Sequence, residues 1–174
     1  SWGLVSYLFR LNYSFKNKYM LTISGRQDGS SRLTEGNKWA FFPSVALAWR
    51  ASEEKFIQNL KIFSNLKIRA SYGTSGSQSI APYSTIDKLR SGSTVIGNQE
   101  VITFSPASSA NKNLGWERTK QFDFGIDAGF LGGRLNIELD YYYKKTTDLL
   151  LERELPYQTG FNSILENVGA VKNY

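Results

Sequence analysis

The sequence predicts an all-β chain: an antiparallel up-and-down meander of six to seven strands, of the kind that forms part of a larger transmembrane β-barrel. Three observations lead there. Apolar and polar residues alternate with a period of two in segment after segment, which puts one kind of side chain on each face of a strand. Several segments approach the roughly 9 to 11 residues that a tilted spanning strand needs, whereas strands of soluble domains cluster near about five or six. The connections are alternately short and long, so a meander places tight turns at one end and long loops at the other.

Leu4 to Phe15 opens the pattern, with Val5, Tyr7, Phe9, Leu11, Tyr13 and Phe15 on one face and Ser6, Leu8, Arg10, Asn12 and Ser14 on the other. Lys16-Asn17-Lys18 reads as a reversal, in which Asn17 tolerates positive φ. Tyr19, Leu21, Ile23 and Gly25 resume the apolar face opposite Met20, Thr22, Ser24 and Arg26. After the polar stretch from Asp28 to Asn37, a third strand carries Trp39, Phe41, Val45, Leu47 and Trp49 against Ala40, Phe42, Ser44, Ala46, Ala48 and Arg50. Pro43 has no N–H to give a ladder, so a bulge or a locally unpaired position is expected there. Ser52 with Glu53 and Glu54 marks a helix start, and Ala51 to Asn65 is expected to hold a helical turn or two.

The fourth strand runs from Leu66 to Gly73, with Leu66, Ile68, Ala70 and Tyr72 opposite Lys67, Arg69 and Ser71. The longest connection follows, Thr74 to about Gly115, a length that points to a functional loop. Trp116 to Tyr143 is the clearest hairpin. Phe122, Phe124, Ile126 and Ala128 in its first arm and Leu135, Ile137, Leu139, Tyr141 and Tyr143 in its second share one face, and Gly129 to Arg134 turn the chain between them. Lys144 to about Asn162 is a second long connection, and Ser163 to Tyr174 begins a possible seventh strand.

Composition narrows the function classes. With no cysteine and no histidine, the chain has no disulfide frame, no thiolate nucleophile and no imidazole base or ligand. The net charge of +6 is spread among scattered acids rather than massed in a basic run, which argues against nucleic acid. No stretch approaches the roughly 18 apolar residues of a membrane helix, an absence that leaves a barrel open. The only methionine is Met20, so the chain is not expected to begin at an initiator.

An amphipathic sheet buries its apolar face in a soluble sandwich and turns it to lipid in a barrel. Aromatics at strand ends favour lipid: Tyr13, Phe15, Tyr19 and Trp49 gather at the short-turn end, and Trp39, Tyr72, Tyr141 and Tyr143 at the long-loop end, as two interfacial girdles. Slipping the fourth strand by one residue would turn Lys67 and Arg69 to lipid at about 2–4 kcal/mol each near the midplane, which pins its register. Lys67, Arg69, Asp123, Asp127, Glu138 and Asp140 then form a lumen-lining charge cluster, with Lys67 and Arg69 expected beside Asp123 and Asp127.

Several motifs carry a family resemblance. Asp28-Gly29-Ser30-Ser31-Arg32, Phe42-Pro43-Ser44 with Trp49, Leu66 to Gly76, Asn113-Leu114-Gly115-Trp116-Glu117, Tyr142 to Leu150, Leu155-Pro156 with Thr159-Gly160-Phe161, and Asn167-Val168-Gly169 together resemble the barrel of SusC/RagA-type TonB-dependent transporters of Bacteroidota. The resemblance implies a Gram-negative outer-membrane location and a barrel of about 22 strands around a plug. It also implies import of glycan or peptide fragments with a SusD-type surface lipoprotein as partner, and coupling to TonB. Residues 1–174 are expected to be a partial barrel with neither plug domain nor closing strand, dependent on outer-membrane lipids and on the remainder of the parent protein.

The same residues admit blander roles. The acids could be cast as a glycosidase pair, but a lumen face is ordinarily charged, and no catalytic residue, metal site or cofactor is assigned. The glycines match no phosphate-loop spacing and are read as turn residues. For ligand or partner contact the candidates are loop aromatics, Tyr83, Phe104, Tyr157 and Phe161, able to stack on sugars or peptide side chains or simply to pack loops together. Alternatives to the transporter are a passive porin or adhesin barrel segment and a soluble carbohydrate-binding β-sandwich.

Overall fold

The structure, a computed structural model, describes residues 1–174 except for the side chain of Tyr157. In chain order its strands are β1 (Leu4–Phe15), β2 (Tyr19–Ser30), β3 (Trp39–Arg50), β4 (Phe63–Ser77), β5 (Lys88–Ile96), β6 (Gln99–Ser109), β7 (Glu117–Phe130), β8 (Leu135–Thr147), β9 (Leu150–Glu154), β10 (Ser163–Asn167) and β11 (Ala170–Asn173). Two sheets result. A seven-stranded wall has the order β1-β2-β3-β4-β7-β8-β11, and a four-stranded sheet has the order β5-β6-β10-β9. Every neighbouring pair in the wall is antiparallel, while β10 joins β6 in parallel through Ser163 and Ile164.

Register in the wall follows the period-two pattern. Phe15 stands opposite Tyr19, Leu21 opposite Leu47, Leu47 opposite Ala70, Ala70 opposite Phe124, and Phe124 opposite Tyr141, so one face is apolar from strand to strand. Lys67 and Arg69 lie on the other face, opposite Asp127 and Gly125. Turn chemistry explains the tight end. Lys16 and Asn17 take φ of 50° and 56°, with the Lys18 N–H bonded to Phe15 O at 3.0 Å. After β7, Gly132 and Gly133 at φ 67° and 87° reverse the chain where a larger residue would be strained. Between β3 and β4 a 3-10 turn, Ala51–Glu53, leads into a single α-helical turn, α1 (Lys55–Gln58). Glu54 rather than Ser52 precedes that helical turn, without a side-chain cap.

Pro43 pairs in register with Gly25 and introduces no bulge into β2–β3. On its other side the ladder to β4 stops at Ser44–Gly73, and the Thr74 hydroxyl donates to Pro43 O at 3.2 Å. The missing N–H is thus placed where β4 is already peeling away toward β7. Pairing with β7 alone carries β4 beyond Gly73, to Ser77.

The long connections differ most from expectation. Thr74 to Gly115 holds a hairpin, β5–β6, turning at Gly97-Asn98 with φ of 57° and 65°. The second long connection holds β9, and the expected seventh strand divides at Gly169 (φ 80°) into β10, in the small sheet, and β11, in the wall. Among the described residues, a core forms at this end of the wall only. Leu33, Ala40, Phe42, Ile80, Leu114 and Trp116 are buried together, with Leu150 and Leu165 packed against them.

Candidate functional site

Three surfaces carry the chemistry, and the first is a knot at the long-connection end. The Trp116 ring meets Phe42 edge-on at 5.6 Å, and its indole N–H donates to Lys38 O at 3.1 Å. Phe42 can lie there because Gly76 has no side chain; a Cβ would overlap its ring. Around this core the three long connections are cross-tied through backbone carbonyls. The Thr34 hydroxyl donates to Leu114 O at 3.0 Å, Asn37 Nδ2 to Asn113 O at 3.2 Å, and Arg32 Nη1 to Ile80 O at 3.0 Å. Asn167 Oδ1 accepts the Gly115 N–H at 2.7 Å while Asn167 Nδ2 donates to Gly115 O at 3.1 Å and to Asp148 O at 2.9 Å. Asp28 is buried beside this knot and accepts from Arg26 Nε at 2.8 Å.

The second surface is the polar face of β4, β7 and β8. Arg69 reaches across three strands. Its Nε and Nη2 bind both oxygens of Asp127 at 3.1 and 2.7 Å, and Nη2 also approaches Glu138 at 2.8 Å and Asp140 at 3.1 Å. Gly125 makes the route possible, since a Cβ there would stand 3.0 Å from Arg69 Cζ and against the Asp140 carboxylate. Asp123 is held differently from expectation: it accepts the Ser71 hydroxyl at 3.0 Å and the Gln121 amide at 2.7 Å. Lys67, opposite Asp127 in register, forms no ion pair among the described residues. Its ammonium lacks the forked reach by which the Arg69 guanidinium holds several carboxylates at once.

The third surface is the four-stranded sheet. A cleft of about 810 Å³ opens between Lys88 and Arg90 on β5 and Glu152 and Glu154 on β9, floored by Ala107, Ser108, Asn162 and Ser163. None of the candidate aromatics with a described side chain lines it. Tyr83 is exposed, in the approach to β5, at φ 63°; Phe104 stands in β6 rather than in a loop; Phe161 is half-buried after β9. The Tyr157 side chain lies outside the described residues. Phe104 instead shares an exposed hairpin face with Leu89, Val95 and Ile102. The signal for this cleft was Glu152-Arg153-Glu154, alternation that puts two acids on one face and a cation on the other.

Two ion-paired clusters flank the wall. At the short-turn end Glu54 accepts from the Tyr19 hydroxyl at 2.7 Å and from Lys18 Nζ at 3.0 Å, and these bonds hold its carboxyl below the ordinary 4.5. In the small sheet Arg153 binds both oxygens of Glu166 at 3.1 and 2.8 Å; that pairing lowers the Glu166 pKa and raises that of Arg153.

The sequence model of the family described as "TonB dependent receptor-like, beta-barrel" matches residues 1–174. TonB-dependent receptor P26 of Formosa agariphila is 48% identical over 170 residues, covering 98% of this chain and 17% of that protein. TonB-dependent receptor SusC of Bacteroides thetaiotaomicron is 39% identical over 181 residues, 98% of this chain and 18% of SusC. Among solved structures, the RagAB peptide transporter superposes with a TM-score of 0.85 at 34% identity, over 97% of this chain and 18% of the matched one. The RagAB peptide importer in its closed-closed state gives 0.86 at 33% identity, over 98% and 18%. The chain therefore spans less than a fifth of the length of the curated relatives it matches.

Proposed function

Because this chain belongs to the TonB-dependent receptor β-barrel family, we propose that it is part of the wall of an outer-membrane transporter. The parent protein imports glycan or peptide fragments, drawing energy through TonB and working with a SusD-type surface lipoprotein. The observation that carries this reading is the inverted amphipathicity of the wall. Phe9, Leu47 and Leu139 are 62%, 56% and 65% exposed on the apolar face, in continuous rows across the sheet. A contiguous apolar surface of this extent demands an apolar surrounding, and in a barrel of this family lipid supplies it.

The polar face is then the lumen wall. There Arg69 with Asp127, Glu138 and Asp140, together with Lys67 and Asp123, lines the channel; the cluster shapes its electrostatics and performs no catalytic step. Among the described residues the outer edges of β1 and β11 each lack a ladder partner, and the remainder of the parent barrel supplies the neighbouring strands. The knot orders the three long connections, whose exposed surfaces, the charged cleft and the Phe104 face of β5–β6, are presented to ligand and lipoprotein. Tyr83 and Phe161 belong to the same set of loop contacts. The membrane half of this reading is tested by fractionating cells that express the parent protein: it should enter the outer-membrane fraction as a heat-modifiable barrel. Recovery in the soluble fraction with a cooperative unfolding transition would overturn it. The transport half is tested by uptake of labelled oligosaccharides and oligopeptides, which should cease when TonB is deleted.

A further inference from the structure

The wall register assembles a feature that the transporter reading leaves unused. On the apolar face at the long-connection end, Lys120 of β7 stands directly opposite Lys145 of β8, and Lys145 directly opposite Lys172 of β11. The three ammonium groups form one row across three adjacent strands. Thr74 continues the row on β4. Their side is set by their neighbours: Thr119 and Thr146 bond to each other on the polar face at 2.9 Å, so the residues next to them in each strand project outward. One row toward the tight-turn end lie Tyr72, Phe122 and Tyr143, the aromatic belt. One row beyond stands Arg118, exposed and on the same side.

Like charges placed directly opposite on a sheet face repel. Carboxylates ordinarily relieve such a row, yet among the described residues none lies within 4 Å of these four cations, whereas every ion pair formed lies elsewhere. The patch is also local. Where the same row passes Thr74 onto β3, β2 and β1, the outward residues are Pro43, Gly25 and Phe9, without a cation. With strands about 4.8 Å apart, the three lysines span roughly 10 Å, the scale of a phosphorylated sugar head group.

We propose that Lys120, Lys145 and Lys172, with Arg118 above them, form a binding site for the phosphorylated head group of an outer-leaflet glycolipid of the lipid A type. The proposal rests on the membrane reading above. The acyl chains lie along the apolar face beneath the aromatic belt, and the phosphate lies at the level where that face meets water. A phosphate bound there offsets the repulsion within the row and anchors the wall vertically beside the long connections. A lipid is favoured over an acidic protein because the row continues directly from hydrocarbon-facing residues, with only the aromatic belt between.

The test uses the full-length parent transporter with its lipoprotein, extracted from native outer membranes. Native mass spectrometry of the wild-type complex should retain a bound lipid A, and diphosphoryl lipid A titrated in mixed micelles should bind more tightly than its dephosphorylated form. Each lysine near an anionic head group contributes about fivefold, so the K120Q/K145Q/K172Q variant should bind about a hundredfold more weakly. K144Q, whose side chain lies on the opposite face one residue away, should bind as wild type does. Retained heat-modifiable migration shows that a variant has folded; should the triple variant fail to fold, K145Q alone carries the test with its expected fivefold loss.

Equal binding by wild type and triple variant, or equal binding of phosphorylated and dephosphorylated lipid, would overturn the proposal. Displacement by inorganic phosphate in the millimolar range would assign the site to a free anion instead. Retained lipid with loss of the lipoprotein from the triple variant would assign the row to a protein surface. Absence of the parent protein from the outer membrane would defeat the membrane reading itself, a result distinct from all of these.

Discussion

Leu139, on β8, is 65% exposed, and Leu114, in the knot, is 0% exposed; the two leucines belong to regions stabilised from opposite sources. In the wall, backbone ladders satisfy the chain's polar groups while apolar side chains face outward, so their burial depends on a surrounding that the chain does not provide. In the knot, apolar side chains from three long connections bury one another, and the polar ties run from side chain to backbone carbonyl. The first region holds its geometry by hydrogen-bond register, the second by packing. A wall can therefore vary its outward residues freely among apolar types, while the knot must keep shape, as Phe42 over Gly76 requires.

This contrast orders the expected effects of mutation. Leu114→Ala, which opens a cavity in the only fully enclosed packing of the long connections among the described residues, should cost about 2–5 kcal/mol. The loss should be confined to one end: limited proteolysis should cut within residues 31–38, 78–116 and 148–169 while the barrel still migrates as a folded, heat-modifiable species. Simultaneous loss of barrel migration would erase the distinction between the two regions. Leu139→Arg should cost about 2–4 kcal/mol in lipid, although the same exposed position in water would tolerate the change within about 0.5 kcal/mol; reversible unfolding from liposomes measures it. Gly125→Ala comes next, at about 1–3 kcal/mol, because the added methyl displaces Arg69 from its carboxylates. Combining it with Arg69→Met should shrink that cost, and strict additivity would show that the glycine serves some other purpose.

The smallest effect is on pH. Glu166 and Glu54 have folded-state pKa values below the ordinary 4.5, so their contribution is present above the unfolded-state value and disappears as pH falls through the depressed folded-state value. Hydrogen exchange across β9–β10 should accelerate as pH falls below the carboxylate range, once corrected for intrinsic rates. In Glu166→Gln that acceleration should be absent from β9–β10 and retained around Glu54.

The wall was legible in the sequence because its signal is periodic. Alternation from Leu4 to Phe15 and from Phe122 to Tyr143 specifies both strand and face, and the cost of exposing Lys67 and Arg69 to lipid specifies register. The knot was legible only as a string of motifs. Asp28 to Arg32, Phe42, Leu114 to Trp116 and Asn167 stood out individually, but their meeting point depends on the backbone carbonyls of Lys38, Ile80, Leu114 and Gly115, which have no side-chain signature. For the β5–β6 hairpin the sequence offers only a two-residue turn signal, Gly97-Asn98. Its arms, rich in Ser, Thr and Gly, dilute the alternation that identifies a strand. In the charge cluster, register placed Lys67 and Arg69 together; what it could not rank was reach, and of the two expected carboxylates the guanidinium takes Asp127 while Asp123 is held by Ser71 and Gln121.

The most direct test of the inverted wall is a spin-label scan of β8, since the chain contains no cysteine and single cysteines can be introduced from Leu135 to Tyr143 in a cysteine-free parent protein reconstituted in bilayers. Accessibility to oxygen, which partitions into lipid, should peak at 135, 137, 139, 141 and 143, and accessibility to a water-soluble nickel chelate should peak at 136, 138, 140 and 142. The reverse phase, with nickel reaching the odd positions, or no alternation at all, would contradict the assignment of the apolar face to the membrane.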